Sequence, residues 1–233
     1  MPIDNGPNTQ LLIVGDSHTR ALQAGCDEKG IRNQTLTLSG TAWFEADVQY
    51  HDDSGLCSSR RKWVAEAAEK MGARVGHKNP FKAGLPVLIS CMNLGRMLAA
   101  YRWRGHQYVD DMTDPRTELP LSRGMMAAYV EEQVARPLAL IRELKTKGTS
   151  LSVVAPPNFT GQKQAIFATN AFARAVRALD VPCFNPWDHL PKGATMLPKE
   201  HAHRDGSHGN EVYGRWVIDH LVDSGAVKLR APA

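Results

Sequence analysis

Two short stretches near opposite ends of the chain carry the residue types of nucleophilic acyl chemistry. The first, Leu11-Leu12-Ile13-Val14-Gly15-Asp16-Ser17-His18-Thr19, runs an apolar strand into a tight turn that presents a serine. A serine hydroxyl is a weak nucleophile until a neighbouring base takes its proton. The second, Asp205-Gly206-Ser207-His208-Gly209-Asn210, supplies an imidazole and, three residues earlier, a carboxylate. A turn linking them could let Asp205 hold one ring nitrogen of His208 while the other faces Ser17, fixing the tautomer of a general base. In a strand–turn–helix layout the Ser17 amide is also free to face an anion. Each stretch has a plainer use as well. Ser17 could be a helix N-cap, and Asp205 or Asn210 could satisfy amides before a last helix while His208 stays exposed.

In this order and setting the two stretches resemble the first and last blocks of the SGNH hydrolases, also called the GDSL-type esterase/lipase family. Gly15-Asp16-Ser17-His18 and Asp205-Gly206-Ser207-His208 carry that resemblance, and they span nearly the whole chain. It implies Ser17 as nucleophile, His208 as general base and acid, Asp205 as the orienting carboxylate, and a flavodoxin-like three-layer α/β/α fold in a single domain over residues 1–233. It also implies an oxyanion hole in which the Ser17 amide is joined by the backbone amide of Gly40 and the side-chain amide of Asn93. Gly40 could instead simply relax a turn, and Asn93 could cap the segment that starts at Leu94. No cofactor or metal is implied.

Three positions depart from the family pattern. His18 replaces the common leucine, Cys91 stands where glycine is usual, and Leu94 where aspartate is frequent. Asn158 is a fallback donor in case Asn93 does not serve. His18 reads as a first-turn histidine packed against neighbouring loops rather than as a substrate contact, and Asp16 as the residue that ties down the turn. The chain has no G-x-S-x-G nucleophile elbow.

The elements that must position these residues are legible as alternating periodicities. Apolar runs at Leu11–Val14, Gln34–Leu38, Pro86–Met92, Ser150–Ala155 and Val181–Phe184 read as strands. Helical spacing appears at His18–Glu28, Arg60–Gly72, Ser122–Lys147, Gln162–Leu179 and Asn210–Ser224. Strands this apolar are covered on both faces, which predicts a five-stranded parallel sheet between helices. Motifs that follow strands then share the carboxyl edge. Pro137 predicts a kink or break near Ala135. Two stretches, 41–59 and 99–121, exceed ordinary connector length and are read as loops near the site, either lids or surface excursions.

Composition bounds the partners. At 233 residues, with 42% apolar and 22% charged residues and a net charge of +4, the chain is an ordinary globular domain. Its basic residues are scattered and read as solvated faces, so no nucleic-acid groove is expected. No signal peptide is visible, and the longest apolar stretch, around Leu85–Met92, is too short to span a bilayer, which makes a cytoplasmic location the expectation. Cys26, Cys57, Cys91 and Cys183 show no C-x-x-C pairing and read as reduced thiols.

The expected activity is ester hydrolysis through an acyl-Ser17 intermediate, with a small-molecule or carbohydrate ester as substrate. Three other readings stay open. The same site could pass the acyl group to a sugar hydroxyl, as an O-acyltransferase, with the aromatic Tyr101–Tyr108 segment stacking on the carbohydrate. His201, His203, Asp205 and His208 spell H-x-H-x-D-x-x-H, a donor set zinc accepts. The fold could also serve as a non-catalytic binding module. Trp43, Phe44 and Trp103 could line a pocket or an interface, and oligomeric state is unread.

Overall fold

Strands without polar alternation need cover on both faces, and this chain provides it with one parallel sheet between two helical layers. The computed structural model describes residues 8–231 apart from 46, 100, 101, 114, 115 and 117. Its strands are β1 (Leu11–Gly15), β2 (Asn33–Thr37), β3 (Val48–His51), β4 (Gly55–Ser58), β5 (Val87–Ser90), β6 (His106–Tyr108), β7 (Leu119–Leu121), β8 (Leu151–Val154) and β9 (Cys183–Phe184). Its helices are α1 (Thr19–Glu28), α2 (Gly40–Glu45), α3 (Trp63–Arg74), α4 (Leu94–Met97), α5 (Arg123–Thr146), α6 (Lys163–Arg177) and α7 (Glu211–Asp223). The central sheet has the order β2-β1-β5-β8-β9, and every neighbouring pair in it is parallel. This is the expected three-layer α/β/α architecture with the flavodoxin-like strand order.

Alternation along β1 divides the core in two. Leu12 and Val14 join the cluster under α3, α5 and α6, which includes Val64, Val130, Ile141 and Phe172. Leu11 and Ile13 join Leu22, Cys26, Tyr213, Val217 and Ile218 under α1 and α7. Cys26, Cys91 and Cys183 are free and buried, and burial pushes the Cys26 and Cys183 thiols up to about 12. Among the described residues no helix is long and apolar enough to cross a membrane.

Two details correct the sequence expectation. Pro137 does not break α5, which runs unbroken from Arg123 to Thr146. Val130 and Val134 before the proline, and Leu140, Ile141 and Leu144 after it, are all anchored in the core. That packing outweighs the single hydrogen bond a proline removes. The 41–59 stretch is also not one loop beside the site. Only α2 reaches the carboxyl edge. The β3–β4 hairpin packs on α3 and α5, where Asn79 donates to Tyr50 Oη (3.0 Å) and to the carbonyl of Asp52 (3.0 Å). Asp52 pairs there with Lys147 and Lys82, which hold its carboxyl down at about 2. These partners precede β5 and follow α5, so the hairpin sits at the opposite end of the sheet from Ser17.

Two registers align the strand ends that matter. Gly15 pairs with Thr37 on one side and with Ser90 on the other. The chain therefore leaves β1, β2 and β5 at one level, and Ser17, Gly40 and Asn93 follow within a few residues. Chain order reverses between β1 and β5, the crevice where open α/β sheets bind ligands. Gly15 serves there through closeness: a Cβ on it would lie 2.0 Å from the Ser90 carbonyl oxygen.

Candidate active site

The turn that carries Ser17 is tied at both ends. Asp16 donates its amide to the Ser90 carbonyl (2.8 Å), and the Thr19 amide and hydroxyl both donate to the Asp16 carbonyl (3.1 and 2.7 Å). The Asp16 side chain is fully buried and accepts from the His18 amide (3.0 Å) and from Asn93 Nδ2 (3.1 Å). Asp16 thus fixes the turn, as expected, and also couples it to the segment after β5. Ser17 is not a helix cap. The cap position of α1 falls to His18, which makes no side-chain capping bond, and Ser17 Oγ instead lies 2.7 Å from His208 Nε2.

The His208 loop owes its shape to the Asp-Gly-Ser-His sequence. Asp205 Oδ1 accepts the amides of Ser207 (2.9 Å) and His208 (3.0 Å), Gly206 takes a left-handed φ of +68°, and the His203 amide returns to the His208 carbonyl (2.7 Å). Asp205 Oδ2 then meets His208 Nδ1 at 2.8 Å. The amides of Ser207 and His208, followed by the two imidazoles, hold the Asp205 carboxyl well below the usual carboxylate range. The order Asp205 gives the loop is thus complete above the unfolded aspartate value of about 3.9 and is lost only as pH falls well below it. A carboxylate only accepts, so His208 carries its proton on Nδ1 and turns Nε2 as an acceptor toward Ser17.

Sequence reasoning missed His203 as a second imidazole on Asp205, 3.0 Å from Oδ2; the H-x-D spacing was its only signal. His201 turns away, tilted over Trp216 at 4.9 Å. The four residues of H-x-H-x-D-x-x-H therefore do not converge, and among the described residues no group of three or more His, Cys, Asp or Glu is placed to hold an ion.

Gly40 and Asn93 do meet. A Cβ on Gly40 would lie 2.2 Å from Asn93 Nδ2. Asn93 Oδ1 caps α4 by accepting the Arg96 amide (2.9 Å), which leaves the Nδ2 hydrogens to Asp16 and one further acceptor. Both readings of Asn93, cap and donor, are thus compatible in one side chain. Gly40 opens α2, so its amide has no intrahelical acceptor. The neighbouring departure, Cys91, is buried in the core and leaves Asn93 at the edge. Asn158 is committed elsewhere: Nδ2 donates to the Gln162 carbonyl (3.3 Å), and Oδ1 accepts from the Thr160 amide (2.9 Å) and hydroxyl (2.7 Å).

His18 lies with its ring 5.1 Å from that of His208, and its Nδ1 is buried with no partner among the described residues. Burial lowers its pKa against the opposing pull of the Asp16 carboxylate, and the nearby His208 adds to the lowering. Of the aromatic residues in the 101–108 segment, Tyr101 lies outside the described residues. Tyr108 is a core residue against Phe167 and cannot stack on a ligand. Trp103 packs edge-on against Tyr129. Trp43 is buried in the core, and Phe44 carries the Arg102 guanidinium 4.4 Å above its ring.

Three spaces open at or beyond this site, and Ser17 lines the first of them. One, of about 220 Å³, lies between α1 and the His208 loop, lined by Ala21, Ala24, Arg20 and His203. Another, of about 140 Å³, passes His18, Leu94, Asn158 and Phe159. It shares Leu98, Thr160 and Gln162 with a third, of about 700 Å³, under the 103–107 segment. No protein-family profile matches the chain, and no curated protein does. Among solved structures it is similar to the psychrotrophic esterase EstA from a Pseudoalteromonas species, inhibited by monoethylphosphonate: 16% identity over 93% of this chain and 96% of that one, TM-score 0.47. It is also similar to a GDSL-like lipase from Bacteroides thetaiotaomicron, with 10% identity over 93% of this chain and 86% of that one and a TM-score of 0.47.

Proposed function

We propose that the chain is a serine ester hydrolase of the SGNH type, acting through an acyl-Ser17 intermediate on small acyl or carbohydrate esters. The observation that carries this reading is the line Ser17 Oγ–His208 Nε2–His208 Nδ1–Asp205 Oδ2, with links of 2.7 and 2.8 Å, between segments 191 residues apart. His208 takes the Ser17 proton as Oγ attacks the ester carbonyl carbon, and Asp205 stabilises the imidazolium. The oxyanion is held by the amides of Ser17 and Gly40 and by Asn93 Nδ2. Collapse expels the alcohol with the proton from His208. Water then enters and attacks the acyl carbon as it gives a proton to His208, which returns that proton to Ser17 Oγ as the acid leaves.

A fluorophosphonate probe tests the assignment directly. Incubation of the folded protein is expected to add one phosphonyl group on the peptide containing Ser17, and none to Ser17→Ala. Label on another residue, or no label at all, removes the reading and leaves the binding-module alternative. Should labelling occur without net ester hydrolysis, analysis of products formed with a free glycan present distinguishes the O-acyltransferase.

The oxyanion role of Asn93 has its own test. Asn93→Ser keeps a cap acceptor for the start of α4 and removes the side-chain amide. Loss of one such donor lowers kcat by about 10²–10³-fold with little change in KM. An unchanged kcat in a normally folded variant would take Asn93 out of the mechanism.

A further inference from the structure

The large cavity beyond His18 belongs to no catalytic step, yet it joins the site. Its walls are fixed before any ligand arrives. Both Asp111 carboxylate oxygens accept amides at the start of α6, from Lys163 and Gln164 (2.8 Å each). Lys163 Nζ donates to the Asp110 carbonyl (2.6 Å), and Arg123 grips the Asp110 carboxylate through two nitrogens (2.9 and 2.8 Å). The 102–111 segment and the 158–164 segment are thereby held at a set distance, with the β6–β7 pair behind them. Preorganised walls of this kind lower the ordering cost of binding.

The lining chemistry is specific. Gln107, Gln162 and Gln164 line the cavity, and their side-chain amides form no hydrogen bond among the described residues. The Trp103 ring adds an apolar edge to the lining, with its indole N–H buried away from the open space. A hydrocarbon chain here would strip water from the three glutamine amides and leave them unpaired. The charges on the wall, Arg104 against Glu118 and the already committed Asp111, give a polyanion no consistent counter-field. What such a surface matches is a neutral ligand rich in hydroxyls, each able to donate and accept. At about 700 Å³ the cavity has room for a drug-sized ligand, about two to three sugar rings.

We propose that this cavity seats the sugar chain of an O-acylated oligosaccharide, leading past His18 so that the ester lies over Ser17. The proposal rests on the esterase reading and narrows it from small or carbohydrate esters to oligosaccharide esters. The ester bond is cleaved by water as above, and the seated chain supplies selectivity rather than chemistry.

The test compares three acetyl esters: p-nitrophenyl acetate, a mono-O-acetylated glucose and a mono-O-acetylated cellotetraose. Wild type is expected to favour the tetrasaccharide over the monosaccharide by at least tenfold in kcat/KM. Gln162→Ala/Gln164→Ala and, separately, Gln107→Ala remove lining amides that hold no hydrogen bond among the described residues. Both are expected to bring the tetrasaccharide-to-monosaccharide ratio down towards one, mainly through KM. Equal wild-type turnover of the two sugars overturns the proposal, as does a ratio the variants leave intact, and p-nitrophenyl acetate hydrolysis then still stands for the esterase. Failure on all three esters, together with no fluorophosphonate label, sinks the esterase reading itself and this proposal with it.

Discussion

Ser17→Ala is expected to lower kcat for p-nitrophenyl acetate by about 10⁴–10⁶-fold, His208→Ala to do nearly as much, and the double variant to be no worse than either. The reason is geometric. Ser17 Oγ is 2.7 Å from His208 Nε2, so hydroxyl and base act as one unit, and removing either disables both. What persists is the contribution of binding and of the proposed oxyanion donors, since the backbone amide at position 17 survives the substitution and Gly40 and Asn93 lie on other segments. Losses that multiply in the double variant would mean the two residues work independently, contrary to the mechanism. His203→Ala separates the two imidazoles on Asp205. His203 meets the same Oδ2 at 3.0 Å but does not reach Ser17 Oγ within hydrogen-bond distance. Its loss should leave most of the rate, since Asp205 keeps two amides and His208. Steady-state kinetics on purified, folded variants decide all of this.

How much of this site could be read in advance depended on whether the signal was local. The sheet was legible because β1, β5 and β8 are apolar on both faces, and the two terminal motifs because each shapes its own turn. Asp205 receives the amides of Ser207 and His208, a relation within three residues. Interactions between distant segments were not legible. Nothing in the sequence around Asp16 indicates that its carboxylate holds Asn93, 77 residues on. Tyr108 looked like a binding aromatic because its neighbours are polar, and its burial against Phe167 comes from α6. Of the kink or break expected at Pro137, the break fails for the same reason: local stereochemistry argues for it, while core contacts on both sides hold α5 together. The 41–59 stretch was read as a loop because its hairpin is stabilised by Asn79 and Lys147, far along the chain.

One such long-range feature sets the distance on which the proposed chemistry depends. Ser17 leads into α1 and His208 leads into α7, so the packing of these helices fixes how hydroxyl and imidazole meet. They approach backbone to backbone. A Cβ on Gly214 would lie 1.7 Å from the Ala21 carbonyl oxygen, and one on Gly25 would lie 2.4 Å from the Gly214 carbonyl carbon. Ion pairs of Lys29 with Asp219 and of Arg215 with Glu28 flank the crossing. Gly214→Ala must therefore force the helices apart by an ångström or more. Overpacking of this kind costs about 3 kcal/mol, and the better helix propensity of alanine returns about 1 kcal/mol. The net loss of about 2 kcal/mol should lower Tm by roughly 4–8 °C in a domain of this size. The effect on rate is larger in proportion. Asn210, the cap of α7, holds the Glu200 and Ala202 carbonyls (2.7 and 3.1 Å), so a displaced helix carries the His208 loop with it. A shift of 1 Å in a reacting group costs about 10²-fold, and that loss should appear in kcat well below the new Tm, where the protein is folded. Because the opposing atom is a backbone carbonyl, trimming Ala21 to glycine gives no relief, and the double variant Ala21→Gly/Gly214→Ala should be as slow as Gly214→Ala alone. If Gly214→Ala melts early yet turns over at the wild-type rate, the helix crossing supports stability only, and the Ser17–His208 distance is set by the loops themselves.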